Sequence, residues 1–429
     1  MKKMIAAALL TAVSVPAMAQ TAPAPAAAPA VTYIHAGALL DRPGQAPRGN
    51  STIIVRDGKI VEVRDGFVPP EGGAKLVALN DKFVLPGLID LHVHLIGIGG
   101  DPMRARLTAL NTEGADDVLY GAGNAKATLN AGFTTVRDLG GEPRSIRALR
   151  DAVDRGDVVG PTIVNAGTAI SVTGGHGDPL NGLAEPFAHA RAREEEWRQI
   201  GLGAQVIKIT STGGVLSNVS GGLGRAFTPE DMKAIVDTAH NLGRKVAAHS
   251  HAAEGTKAAL AAGVDSIEHG SFIDDEAIAA FKKAGAYLVP TEIAPVAAVA
   301  QARAGALPPA TIPKAEAAAA AMQESHRRAY KAGVKFAFGT DSGVSKHGDN
   351  AQEFALLVEK VGMTPADAIR SATVTAAEVL GQGNVIGTIE PGKQADIIAV
   401  DASPLSDVRQ LERVRFVMRK GAVAKPLAD

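Results

Sequence analysis

Side chains able to bind a metal ion recur in this sequence at the ends of short apolar runs. His92 and His94 lie two apart in Leu91-His92-Val93-His94. In an extended strand such residues point to the same face, so one ion can take both. Lys208 sits in Val206-Ile207-Lys208-Ile209, His249 and His251 in Ala248-His249-Ser250-His251, His269 in Ile267-Glu268-His269-Gly270, and Asp341 in Gly339-Thr340-Asp341-Ser342. A lone strand-end histidine is ordinarily a hydrogen-bonded structural residue. A whole set at matching strand ends is harder to assign to packing, because buried charges are costly unless paired or metal-bound. Neutral imidazole and carboxylate suit zinc-like divalent ions. The chain has no cysteine, which excludes thiolate-bound zinc, a thiol nucleophile and disulfide staples. Two ions so held would lower the pKa of a water between them and polarise a carbonyl, the chemistry of amide hydrolysis. Asp341 would then take the proton and return it to the leaving amine.

These residues need a scaffold that brings distant strand ends together. Eight short apolar strands are expected at 87–94, 133–138, 162–166, 205–210, 245–249, 265–269, 286–290 and 335–341, with helical stretches between them. Thr228-Pro229-Glu230-Asp231 and Thr364-Pro365-Ala366-Asp367 each place a capping Thr, a Pro at the first helical position and an acid two residues later. Strands alternating with helices predict an α/β fold, a (β/α)8 TIM-like barrel whose chemistry lies at the C-terminal strand ends. The twenty-residue step from His249 to His269 matches one βα unit, making them neighbours around the ring. An open doubly wound sheet is the alternative, but its Gly-rich dinucleotide fingerprint is missing after the first strand.

Both ends of the chain are rich in short strands. Residues 51–55 and 59–63 flank the turn Arg56-Asp57-Gly58, a hairpin signal, and 395–400 and 414–418 read likewise. The expected organisation is a small β-sandwich built from both termini, 31–85 and 386–429, around a barrel at 86–385. Residues 1–19 read as a secretory signal: Lys2 and Lys3, an apolar run over 4–15, then Ala17-Met18-Ala19. The Pro/Ala-rich stretch 20–30 reads as a solvated tether, and the expected location is the periplasm or the medium. The apolar run is too short for a comfortable membrane span. A net charge of -1 and 4% aromatic residues give no reason to expect nucleic acid as a partner.

Taken together, these segments resemble the amidohydrolase superfamily, whose hallmark is an H-x-H pair on strand one, a carboxylated Lys on strand four, a His on each of strands five and six, and an Asp on strand eight. The tail from Gly387 to Asp396 is similar to the superfamily's return from barrel to sandwich. The complete set resembles the branch related to imidazolonepropionase that contains Xaa-Pro dipeptidases (prolidases) and ochratoxin-degrading amidohydrolases. The resemblance implies a carbon dioxide-derived carbamate on Lys208 bridging two divalent ions, zinc first among the candidates, and a homo-oligomer. His92, His94 and Asp341 would hold the more buried ion, and His249 with His269 the more exposed one. The implied substrates carry an amide next to a C-terminal amino acid: Xaa-Pro and other dipeptides, N-acyl amino acids, or ochratoxin A-like phenylalanine amides. A cyclic-amide hydrolase or deaminase of heterocycles is the second reading, and a non-catalytic binding protein the third.

Three further residues are candidates for substrate contact. His176, in Thr173-Gly174-Gly175-His176-Gly177, either meets the substrate or is a solvated loop residue. His251 either binds a substrate carboxylate or supports His249. Tyr120, read as preceding the helix before strand two, is the third. Gly213-Gly214 after strand four allows a ligand close to the backbone, or serves only as a tight turn.

Overall fold

The computed structural model describes residues 31–97, 113–172, 174–176, 198–214, 222–305 and 311–427. The expected signal and tether at 1–30 lie outside the described residues. The N-terminal strands are β1 (Val31–Leu39), β2 (Ser51–Arg56), β3 (Lys59–Asp65) and β4 (Lys75–Pro86). The barrel strands follow: β5 (Leu88–Val93), β6 (Phe133–Asp138), β7 (Thr162–Asn165), β8 (Val206–Thr210), β9 (Lys245–Ala252), β10 (Ser266–Phe272), β11 (Tyr287–Val289) and β12 (Lys335–Phe336). The chain closes with β13 (Ile397–Val400), β14 (Phe416–Arg419) and β15 (Ala422–Lys425).

Strands from the two ends form one seven-stranded sheet, ordered β15-β14-β13-β4-β1-β2-β3. Long β4 is the seam: it runs parallel to β1 on one side and antiparallel to β13 on the other. The turn between β2 and β3 places Asp57 and Gly58 at φ 49° and 76°, the left-handed pair that a two-residue hairpin needs. The sheet rolls over, so that its two ends meet. A Cβ on Gly421 would fall 2.6 Å from the Gly58 Cα. Ile34, Ile53 and Ile60 accordingly share one buried core with Ile397, Phe416 and Met418, which makes this sheet the β-sandwich.

The barrel is an all-parallel ring. Its ladders run β5-β6-β7 and β8-β9-β10-β11-β12. Backbone bonds join these two arcs at both seams. Between β7 and β8, Gln205 N donates to Asn165 O at 2.8 Å and Thr210 N to Ile170 O at 3.1 Å. Between the segment after β12 and β5, Leu91 N donates to Phe338 O at 3.0 Å and Asp341 N to His92 O at 2.7 Å. The chain is therefore a (β/α)8 barrel with a sandwich drawn from both termini.

Two strands differ from expectation. β9 runs on to Ala252 and carries His251 within it. The eighth is regular only over Lys335–Phe336: Ala337 N still donates to Leu288 O of β11, but the next donor, Phe338 N, turns away to Ser371 O. The helices are α1 (Gly114–Asn130), α2 (Pro143–Arg155), α3 (Pro229–Asn241), α4 (Ala253–Ala262), α5 (Asp275–Ala284), α6 (Ile293–Arg303), α7 (Thr311–Lys331), α8 (Gln352–Leu356), α9 (Pro365–Ser371) and α10 (Val374–Val379). Thr228 and Thr364 cap α3 and α9 as expected, accepting from Asp231 N at 3.2 Å and Asp367 N at 3.1 Å. Among the described residues no helix is long and apolar enough to cross a membrane.

Candidate active site

The C-terminal strand ends converge on one cavity of about 540 Å³, lined by His92, His94, His176, Lys208, His249, His251, His269 and Asp341. Its floor is tight. Asp341 Oδ1 lies 3.1 Å from His94 Nε2 and 3.5 Å from His92 Nε2, and Lys208 Nζ lies 3.4 Å from His92 Nε2. Two groups of donor atoms are each mutually within 4.8 Å: His92, His269 and Asp341, and His249, His251 and His269.

Three of these imidazoles are hydrogen-bonded from behind through Nδ1, and a fourth, His92, faces a carboxylate there. His94 Nδ1 donates to Gly140 O at 3.0 Å, His92 Nδ1 lies 3.1 Å from Glu268 Oε2, His251 Nδ1 2.7 Å from Ser271 Oγ, and His269 Nδ1 2.7 Å from Thr291 Oγ1. Fixing the outer nitrogen sets the ring's tautomer and orientation and leaves Nε2 for the cavity, the arrangement usual for metal-ligating histidines. Nε2 of His249 is buried with no hydrogen-bond partner. An orphaned buried nitrogen among further imidazoles and a carboxylate fits a divalent ion, which would satisfy it.

The electrostatics favour lone pairs over protons. Burial, then the neighbouring Lys208, pushes His92 down to about 4. Burial, then His176, takes His251 down to about 3, and burial holds His249 and His269 well below the usual imidazole value. Lys208 is lowered to about 8 by burial, which brings its amine toward the neutral form. Burial alone would raise Asp341, but His92 and His94 override it and hold the carboxyl well below the usual carboxylate range. The backbone is strained here as well. His269 within β10, Thr291 just past β11 and Asp341 past β12 have φ of 70°, 55° and 58°. For residues other than glycine this conformation costs roughly 1–3 kcal/mol each.

Beneath the floor lie groups without a motif signal in the sequence. Arg137 crosses the barrel interior, donating Nε to Leu91 O at 2.6 Å, Nη1 to Ser266 Oγ at 3.1 Å and Nη2 to Glu268 Oε1 at 2.8 Å. Burial would raise Glu268, but Arg137 holds it at about 2, so a carboxylate faces His92 Nδ1. Behind β10, His326 donates Nε2 to His269 O at 2.6 Å, while its Nδ1 lies 2.7 Å from Glu292 Oε1. Charged residues at interior strand positions were the available clue, since Ser266 and Glu268 share one face of β10 and meet Arg137 from β6.

Of the substrate-contact candidates, two reach the cavity. His176 lines it and stacks on His249 with ring centroids 4.1 Å apart, rather than standing free in solvent. His251 lines it too and is tied to Ser271. Tyr120 is corrected: it lies inside α1, not ahead of it, is 40% exposed, and is absent from the cavity wall. The helical turn there directs it outward. Gly214 lines the cavity, consistent with close backbone approach, and residues 177–197 of the loop beyond His176 lie outside the described residues.

Residues 83–426 match the model of the amidohydrolase family. Ochratoxinase of Aspergillus niger is 32% identical over 417 residues, covering 90% of this chain and 84% of that protein. A crystal structure of a Xaa-Pro dipeptidase with methionine in its active site is 38% identical, with a TM-score of 0.85 over 92% of this chain and 99% of that one. A prolidase complexed with N-methylphosphonate-L-proline is 29% identical, with a TM-score of 0.84 over 92% and 100%.

Proposed function

The chain belongs to the amidohydrolase family and is a hydrolase of amide or peptide bonds; we propose that its substrates are amides whose leaving group is a C-terminal amino acid. The observation that carries this reading is the convergence of His92, His94, Lys208, His249, His269 and Asp341 on the floor of one cavity. Dipeptidase, prolidase and ochratoxinase relatives, whose names describe such amides, support the substrate class.

On this reading His92, His94 and Asp341 would hold one divalent ion and His249 with His269 a second, with Lys208, as a carbamate, the remaining ligand. Such a pair, when bound, supplies Lewis acidity for the scissile carbonyl and lowers the pKa of water. The chain's own residues do the rest. Glu268, Gly140, Ser271 and Thr291 orient the imidazoles. Asp341 is a carboxylate at neutral pH, free to take a proton from the attacking water and deliver it to the leaving nitrogen. His176 and His251, lining the same cavity, would position the substrate and its developing oxyanion.

The test is a panel of dipeptides and N-acyl amino acids that differ in their C-terminal residue, beside a cyclic imide, with metal content measured on the same preparation. Hydrolysis of the linear amides by protein with about two ions per chain supports the reading. Turnover of the cyclic imide alone, or fewer than about one ion per chain in active protein, defeats it.

A further inference from the structure

The described lining of the cavity differs by sector around the barrel. The β7, β8 and β9 ends contribute His176, Gly214 and His251, the side suited to a carboxylate, because a neutral imidazole can donate N–H. Past β11 the wall turns apolar, with Ala294, Pro295 and Ala298 from α6 and Met322 from α7. On the far side of β5, the loop after β6 contributes Glu142, the one acid besides Asp341 among the described lining residues. A dipeptide lying across the floor with its C-terminal carboxylate toward His251 would place its N-terminal residue between α6 and Glu142, whose loop adjoins the one after β7. That part of the wall offers an apolar surface for a side chain and a carboxylate for a cation.

Glu142 is placed for this role by its own cap. It precedes α2 and accepts from Ser145 N at 2.7 Å and Ser145 Oγ at 2.8 Å, both on Oε2. The cap therefore fixes the carboxylate without using Oε1. Burial pushes the carboxyl up, but the Ser145 donors outweigh it and hold Glu142 below the usual value.

We infer that Glu142 recognises the free α-ammonium group of the substrate's N-terminal residue, so that the enzyme prefers dipeptides with an apolar first residue to N-acyl amino acids. This rests on the amide-hydrolase reading above and narrows its substrate class. A charge-assisted hydrogen bond of this kind discriminates by about tenfold or more.

The experiment compares kcat/KM for L-methionyl-L-proline and L-methionyl-L-phenylalanine with that for their des-amino analogues, which lack only the ammonium group. The zinc-loaded full chain is assayed beside Glu142→Gln. The wild type is expected to favour the dipeptides by at least about tenfold, and Glu142→Gln to bring the ratio within about threefold, mainly by slowing the dipeptides. A purely structural cap would slow both kinds of substrate equally, which overturns the inference. So does a wild-type ratio near one, although that leaves the hydrolase reading standing. Cleavage of none of the four compounds overturns both.

Discussion

At the scale of single residues, the proposed function separates groups that would meet the substrate from groups that hold them. Asp341 belongs to the first kind. Asp341→Asn removes its proton-transfer capacity and is expected to lower kcat by about a hundredfold to ten-thousandfold. Turnover and zinc content measured together check this, and near-normal turnover with both ions retained would exclude the role. Glu268 belongs to the second kind. Glu268→Ala frees His92 Nδ1 and strands Arg137, so zinc affinity is expected to fall about tenfold to a hundredfold, while Glu268→Gln keeps an acceptor and recovers much of it. Competition with a chelator reads this without reference to activity. The difference in legibility follows from the same division. The candidate ligands stand out in the sequence only as a set, because His, Lys and Asp at so many matching strand ends are costly to bury for packing alone. Glu268, one residue before His269, is visible there but ambiguous, because its meaning depends on Arg137, which lies more than a hundred positions away and meets it only when the ring closes.

At the scale of elements, the alternation of strands and helices was enough to place eight strands near their observed positions. Their ends were less legible, because they depend on which neighbour each backbone donor finds. The eighth strand was expected over 335–341. Its regular ladder stops at Phe336, because after a last bond from Ala337 N to Leu288 O the next donor turns to Ser371, and then the chain kinks at Asp341. Tyr120 failed for a related reason: the start of α1 carries Glu113 as its cap, a weaker signal than the Thr-Pro starts of α3 and α9. Those two starts make a stability prediction. Thr228→Ala removes the acceptor for Asp231 N and is expected to cost about 1 kcal/mol in denaturant unfolding, with kcat unchanged. The apolar face of α6 makes a specificity prediction. Ala298→Phe fills part of the wall and is expected to reduce kcat/KM for a bulky N-terminal residue by about tenfold or more, while sparing glycine in that position.

At the scale of the whole molecule, stability reflects both halves of the barrel. At its N-terminal face, Asp265 accepts from Lys245 Nζ, His240 Nε2 and Val246 N, each at 2.8 Å. Partial burial pushes its carboxyl up, but these donors prevail and hold it below the ordinary 3.8. Its folded-state pKa is depressed, so its contribution is complete above the unfolded value and is lost as pH falls through the lowered one. Asp265→Asn is therefore expected to cost about 1 kcal/mol at neutral pH, solvent screening included, and nothing measurable in strong acid. Thermal unfolding followed across pH checks the slope. At the other face, stripping the ions with a chelator is expected to lower Tm and restored zinc to raise it again, because ligands that bind only the folded chain stabilise it. The left-handed kinks at His269, Thr291 and Asp341 bear on this face in another way. His269 interrupts the register of β10 against β9, and Thr291 and Asp341 lie beyond the regular parts of their strands, each where a candidate ligand or its supporting hydroxyl is fixed. Later changes in the connections beyond them can alter length and composition without transmitting a shift in register to the floor. On the proposed function the chemistry and the choice of molecule would then sit in separately mutable parts, and exchanging segments beyond the kinks is the expected route to a different substrate.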